Sequence, residues 1–106
     1  MKKLLLFALL TLLILPACEK RNLVWLDYPQ TQCADPWGEH ESDQQLFLAI
    51  ENFFFDLGVT IRDIKIEKVG SAQDCLACAC LTGNAIRAQV HKDEQDVLLQ
   101  YGFVKE

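Results

Sequence analysis

Positive charge is in short supply in this sequence: ten lysines and arginines stand against fifteen aspartates and glutamates, a formal net charge of −5. Nucleic acids and anionic lipid surfaces are bound by Lys and Arg neutralising phosphate, so a chain this acidic is a poor partner for either. A long apolar run is also missing. The longest, Leu4 to Leu15 (LLLFALLTLLIL), would reach about 18 Å as a helix, well short of the roughly 30 Å hydrocarbon core of a bilayer. Catalytic signatures are equally scarce. Ser42 reads as a helix cap, Ser71 lies in a GSAQD loop without a nucleophile-elbow motif, and no carboxylate pair falls in a recognisable cleft. The two histidines, His40 among acids ahead of a helix and His91 at the polar end of a strand, read as surface residues. The expectation is a protein that is not an enzyme and takes no cofactor beyond a covalent lipid.

What is present begins at the N-terminus. Lys2 and Lys3 precede the apolar run, and Pro16, Ala17 and Cys18 follow it, the order of a signal peptide's charged, apolar and small-residue regions. Leu15 to Cys18, LPAC, resembles the bacterial lipobox, a leucine three positions before an obligatory cysteine with a small residue between. The resemblance implies cleavage between Ala17 and Cys18, a thioether-linked diacylglycerol on Cys18, and acylation of the new amine by a chain such as palmitate. Two or three acyl chains hold a protein to a membrane where one is marginal. Glu19, where an aspartate would signal inner-membrane retention, favours the outer membrane and leaves the face open. Membrane contact is then expected through the lipid, with an envelope protein as a possible partner and nucleic acid excluded.

The expected organisation is a signal peptide over residues 1–17, a lipidated tether over 18–32 and a small domain over 33–106. The mature chain has 106 less 17, or 89, residues, and the loss of Lys2 and Lys3 moves its charge from −5 to −7. The tether is too apolar to be purely solvated: Leu23, Val24, Trp25, Leu26 and Tyr28 are expected to pack on the domain or lie near the membrane interface.

The domain reads as α+β. Asp35, Pro36 and Gly38 fit positions i, i+1 and i+3 of a type I turn. Ser42 and Gln45 form a capping box ahead of a helix whose stripe is Leu46, Phe47, Ile50, Phe53, Phe54 and Leu57, stopped by Gly58. On the opposite side, Leu48 and Phe55 form a small partner patch unless Trp25, Tyr28 or Trp37 covers them, which is the expectation. VTIRDIKIEKV (59–69) alternates like a strand but changes phase, calling for a bulge near Arg62 and Asp63. Residues 76–81 and 85–91 read as the arms of a hairpin around Thr82, Gly83 and Asn84. Asp93 then caps a short helix carrying Val97, Leu98 and Tyr101, and Gly102 ends it. The resulting expectation is a three-stranded antiparallel sheet with two helices on one face, in the order α-β-β-β-α.

Beyond Cys18 the mature chain contains Cys33, Cys75, Cys78 and Cys80. An even number of cysteines in an exported small domain reads as a disulfide framework of two staples. Cys78 with Cys80 is the least comfortable pairing, because neighbours two apart on a strand lie about 6.5 Å apart at Cα, near the geometric limit. The expectation leans to Cys75 with Cys78 and Cys33 with Cys80. The alternative is an envelope metal-binding protein holding Zn²⁺ or Cu(I) on the same four thiolates. A redox Cys75/Cys78 pair is poorly placed, because it precedes a strand rather than opening a helix. The segments CADPWG (33–38) and CLACACLTG (75–83), with Gly102 and Phe103 near the end, resemble a type of small exported bacterial lipoprotein. That resemblance carries over no activity.

Overall fold

The computed structural model describes residues 22–106. Cys18, the LPAC segment and the signal peptide lie outside the described residues. Among those described, the elements run β1 (Leu23–Thr31), α1 (Asp43–Phe55), β2 (Asp63–Lys68), β3 (Leu81–His91), α2 (Gln95–Gln100) and β4 (Val104–Lys105), with a 3₁₀ turn at Lys92–Glu94. The fold is α+β, but its antiparallel sheet has four strands, not three, in the order β2-β3-β1-β4. No described helix is long and apolar enough to cross a membrane.

The largest departure from expectation is β1. Residues 23–31, expected in the tether, form an interior strand, with Leu23 opposite His91 and Tyr28 opposite Ile86. The inward side chains Leu26 and Tyr28 are buried against Ile86, Ala88 and Val90 of β3. Residues 19–22 are all that is left between the expected lipid site and the sheet.

Thr82, Gly83 and Asn84 are also not a hairpin turn. They lie within one continuous β3, at the point where the β1 register jumps from Pro29 opposite Ala85 to Thr31 opposite Leu81. The extra residues bulge around Gln30, whose side-chain oxygen accepts from the Thr82 hydroxyl (3.0 Å) and the Asn84 side-chain Nδ2 (3.3 Å). Gly83 has φ +91, and its carbonyl receives the Val69 and Gly70 amides at 2.9 and 3.0 Å. A bulge of this kind needs the same small, turn-forming residues as a hairpin loop, so composition alone does not separate them.

The phase change at Arg62 and Asp63 is where β2 begins: Asp63 lies opposite Gln89, whose carbonyl also accepts the Arg62 amide at 2.8 Å. Helix α1 starts as its sequence requires, with the Ser42 hydroxyl accepting from the Gln45 amide at 3.2 Å. Its stripe buries Leu46, Ile50 and Phe54, and Phe53 packs alongside, whereas Leu57 is 43% exposed where the helix unwinds. The second helix is capped differently from expectation. His91 Nδ1, and not Asp93, accepts the Asp93 amide (3.3 Å) that opens the 3₁₀ turn ahead of α2. Leu98 of α2 and Phe103 close the same core. Within it the Trp37, Tyr28, Phe54 and Phe103 rings meet at centroid distances of 4.8 to 6.1 Å, contacts that add about 0.5–1.5 kcal/mol each beyond burial.

Gly83 and Gly58 separate two costs of a side chain at positive φ. An added Cβ at Gly58 (φ +84) meets nothing within 4 Å, but at Gly83 it would lie 2.5 Å from the Gly70 carbonyl oxygen. Gly58→Ala should therefore lower stability by about 1–2 kcal/mol, the left-handed backbone cost, and Gly83→Ala by about 1–3 kcal/mol more, as overpacking costs do. Urea unfolding of both variants checks the difference; equal losses would refute the close approach at Gly83.

Candidate functional site

The β1–β3 ladder does not stop at Thr31 and Leu81. It runs on through Gln32, whose amide donates to the Cys80 carbonyl (2.8 Å), and Cys33, whose amide donates to the Cys78 carbonyl (3.1 Å). This places the Cys33 and Cys78 Cα atoms 4.5 Å apart, and the two residues are bridged. Gln73 closes the loop from the other side: its amide donates to the Leu81 carbonyl (2.9 Å) and its side-chain oxygen accepts the Leu81 amide (2.8 Å). Cys75 is thereby returned to Cys80, with Cα atoms 6.3 Å apart, and these form the second bridge. Two disulfides are present, but the expected pairing of Cys75 with Cys78 and Cys33 with Cys80 is corrected. Backbone register, which spacing does not reveal, decides it.

All four sulfurs are thus consumed, and among the described residues no group of three or more His, Cys, Asp or Glu is arranged to hold a metal ion. Cys80 is buried, whereas Cys33, Cys75 and Cys78 are exposed, and Leu76 projects fully into solvent from the tip of the loop.

Beside the clasp is a groove of about 450 Å³ lined by Gln30 to Cys33, Asp35, Gly38 to Glu41, Leu46 and Thr82. Asp35 accepts three hydrogen bonds at its edge. One carboxylate oxygen accepts from the Tyr28 hydroxyl (2.8 Å), the Thr31 hydroxyl (2.6 Å) and the Thr31 amide (3.2 Å). The Pro36–Trp37 turn that follows closes as expected, the Gly38 amide reaching the Asp35 carbonyl at 3.0 Å. Burial, then the hydrogen bond to Asp35 and its negative charge, hold the Tyr28 hydroxyl far above the usual phenol range. His40, near the groove, has Nε2 2.8 Å from the Trp37 carbonyl, an anchored surface position.

The sheet face away from the helices carries a second constellation, which sequence reasoning missed. Arg87 on β3 lies between Asp27 on β1 (3.1 Å), Glu67 on β2 (3.2 Å) and Glu106. Lys65 pairs with Glu67 (3.3 Å) and stands over the Trp25 ring, 4.9 Å from its centre, with the Arg87 guanidinium at 5.8 Å. Hydrogen bonding to Lys65, with help from Arg87, holds Glu67 below the usual carboxylate range. These residues are spread over 82 positions from Trp25 to Glu106, so only the register of the sheet assembles them. The signal available in the sequence was the odd-numbered outward set of each strand.

The expected cover over Leu48 and Phe55 is absent. Trp37 and Tyr28 are in the core, Trp25 is on the far face of the sheet, and Leu48 and Phe55 are 53% and 68% exposed. No family model, curated protein or solved structure matches the chain.

Two outcomes follow from this geometry. The Cys33–Cys78 bridge spans 45 residues and Cys75–Cys80 spans five. On chain-entropy grounds, removing the first by paired Ala substitution should cost about 4 kcal/mol and removing the second about 2 kcal/mol; thermal unfolding of the two double variants reads the order. The raised Tyr28 pKa means its neutral form is favoured on folding. That contribution is complete below the unfolded phenol value of about 10 and is lost as pH rises past it. Tyr28→Phe should flatten the alkaline decline in stability, which denaturation at a series of pH values measures.

Proposed function

We propose that this chain is a lipid-anchored lipoprotein of the cell envelope, held more at the outer than the inner membrane, whose domain is a binding or structural module with no catalytic role. The observation that carries this reading is the joining of all four domain cysteines in two bridges, the state favoured in an exported small domain. The LPAC segment ahead of Cys18 supports the anchor.

The structure bears on how such a module would stand. Leu23 is five positions after Cys18, and five residues reach at most about 17 Å. The Leu23–His91 end of the sheet is then held near the bilayer, and the eight steps along the nine residues of β1, at about 3.4 Å each, put the start of the disulfide clasp about 27 Å away along the strand. The exposed Leu48 and Phe55 support a patch for an envelope protein. The metal reading, with Zn²⁺ or Cu(I) on Cys33, Cys75, Cys78 and Cys80, requires both bridges to be opened.

Cys18→Ala should abolish lipid labelling and release the protein from the membrane fraction; a variant that still labels and sediments with membranes refutes the anchor. Intact mass of the extracted protein before and after reduction should show the hydrogens of two disulfides missing. Four free thiols with one equivalent of metal by elemental analysis would replace this reading with the metal one.

A further inference from the structure

Strand β2 (Asp63–Lys68) lies at the edge of the sheet, paired with β3 on one side only. Antiparallel strands turn the backbone groups of alternate residues to opposite sides. The Val69 amide donates inward to the Gly83 carbonyl, whereas the Ile64 amide takes its own neighbour, the Asp63 carboxylate, at 2.8 Å. By this alternation the N–H and C=O groups of Ile66 and Lys68 also face outward, away from β3.

Edge strands are commonly guarded by charge, lysine above all, which blocks pairing with whatever arrives. The guard on this edge has both signs. We infer that β2 pairs antiparallel with the β2 of a second copy of this chain across a two-fold axis, in the register that sets Ile66 opposite Ile66 and Lys65 opposite the second copy's Glu67.

Side-chain alternation and charge select that register. Opposed residues in an antiparallel pair share a face, so the inward Ile64, Ile66 and Lys68 must meet one another, and so must the outward Asp63, Lys65 and Glu67. Shifted two residues one way, the ladder sets Lys65 against Lys65 and Asp63 against Glu67, all like charges. Shifted the other way, it sets Glu67 against Glu67. In the central register Lys65 meets Glu67 twice, Ile64 meets Lys68 twice, and the half-buried Ile66 side chains meet on the axis. The Lys65–Glu67 pair within each chain, 3.3 Å long with both side chains nearly half exposed, then joins its symmetry mate in a ring of four alternating charges. The Asp63 carboxylate releases the Ile64 amide, which becomes a donor to the second copy. The assembly is closed, because an isologous contact uses the same edge of both chains.

The test is sedimentation of the full chain in density-matched detergent, which reads protein mass per particle. The wild type is expected at two chains, and Lys65→Glu and Glu67→Lys alone at one, since each sets like charges opposite one another. An equimolar mixture of the two variants should return to two chains, because the two acids that one variant carries at these positions then face the two lysines of the other. This rescue owes nothing to contacts within one chain or to sharing of micelles. Lys68→Pro, which removes an outward-facing N–H without touching the β3 ladder, should also give one chain. A wild type at one chain, single variants still at two, or a mixture that stays at one overturns the proposal; near-UV circular dichroism confirms that each variant is folded.

Discussion

The antiparallel pairing of β1 with β3 is the interaction on which the rest depends. It joins residues as far apart as Leu23 and His91, and each of its two faces determines a different part of the molecule. On the inward face, Leu26 and Tyr28 against Ile86 and Ala88 form the floor on which α1, α2 and Phe103 are laid. On the outward face, Asp27 opposite Arg87 is the start of the network that Glu67, Lys65 and Trp25 complete. Beyond Thr31 the same ladder determines which cysteines meet.

Much of this was legible in the chain and some was not, for identifiable reasons. Helix α1 could be read because its apolar stripe and Ser42 cap are local signals, independent of what they pack against. Strand β1 could not, because a half-buried strand is recognised by polar alternation, and here the outward positions carry Leu23 and Trp25. Trp25 is tolerable there because Lys65 and Arg87, from two other strands, stand over its ring. The misplaced hairpin has a related origin: Gly83 is required by the close approach of residues 70–72, a distant contact that imitates a local turn signal.

The cysteines show the same limit. Their even number, with the expected export, indicated bridges, and bridges are present. The partner of each one follows from whether Cys33 extends the ladder to Cys78 or to Cys80, a matter of register set by the Gln30 bulge some residues away. Likewise, the exposure of Leu48 and Phe55 was unreadable while the nearby aromatics had no assigned positions; Trp37 and Tyr28 enter the core and Trp25 the far face of the sheet, so none of the three expected to cover that side of α1 does so.

The bulge at Thr82–Asn84 also bears on how the chain assembles in time. The ladder that organises the molecule is non-local, and pairings of that kind form slowly because loop closure precedes any reward. In a chain threaded N-terminus first, Cys33 emerges long before its partner, and Cys75 reaches it before Cys78 does. The first bridge available to Cys33 is therefore a wrong one. The correct one becomes favoured when β3 is complete and the bulge has fixed its register, so an early Cys33–Cys75 bridge would give way to it only through thiol exchange.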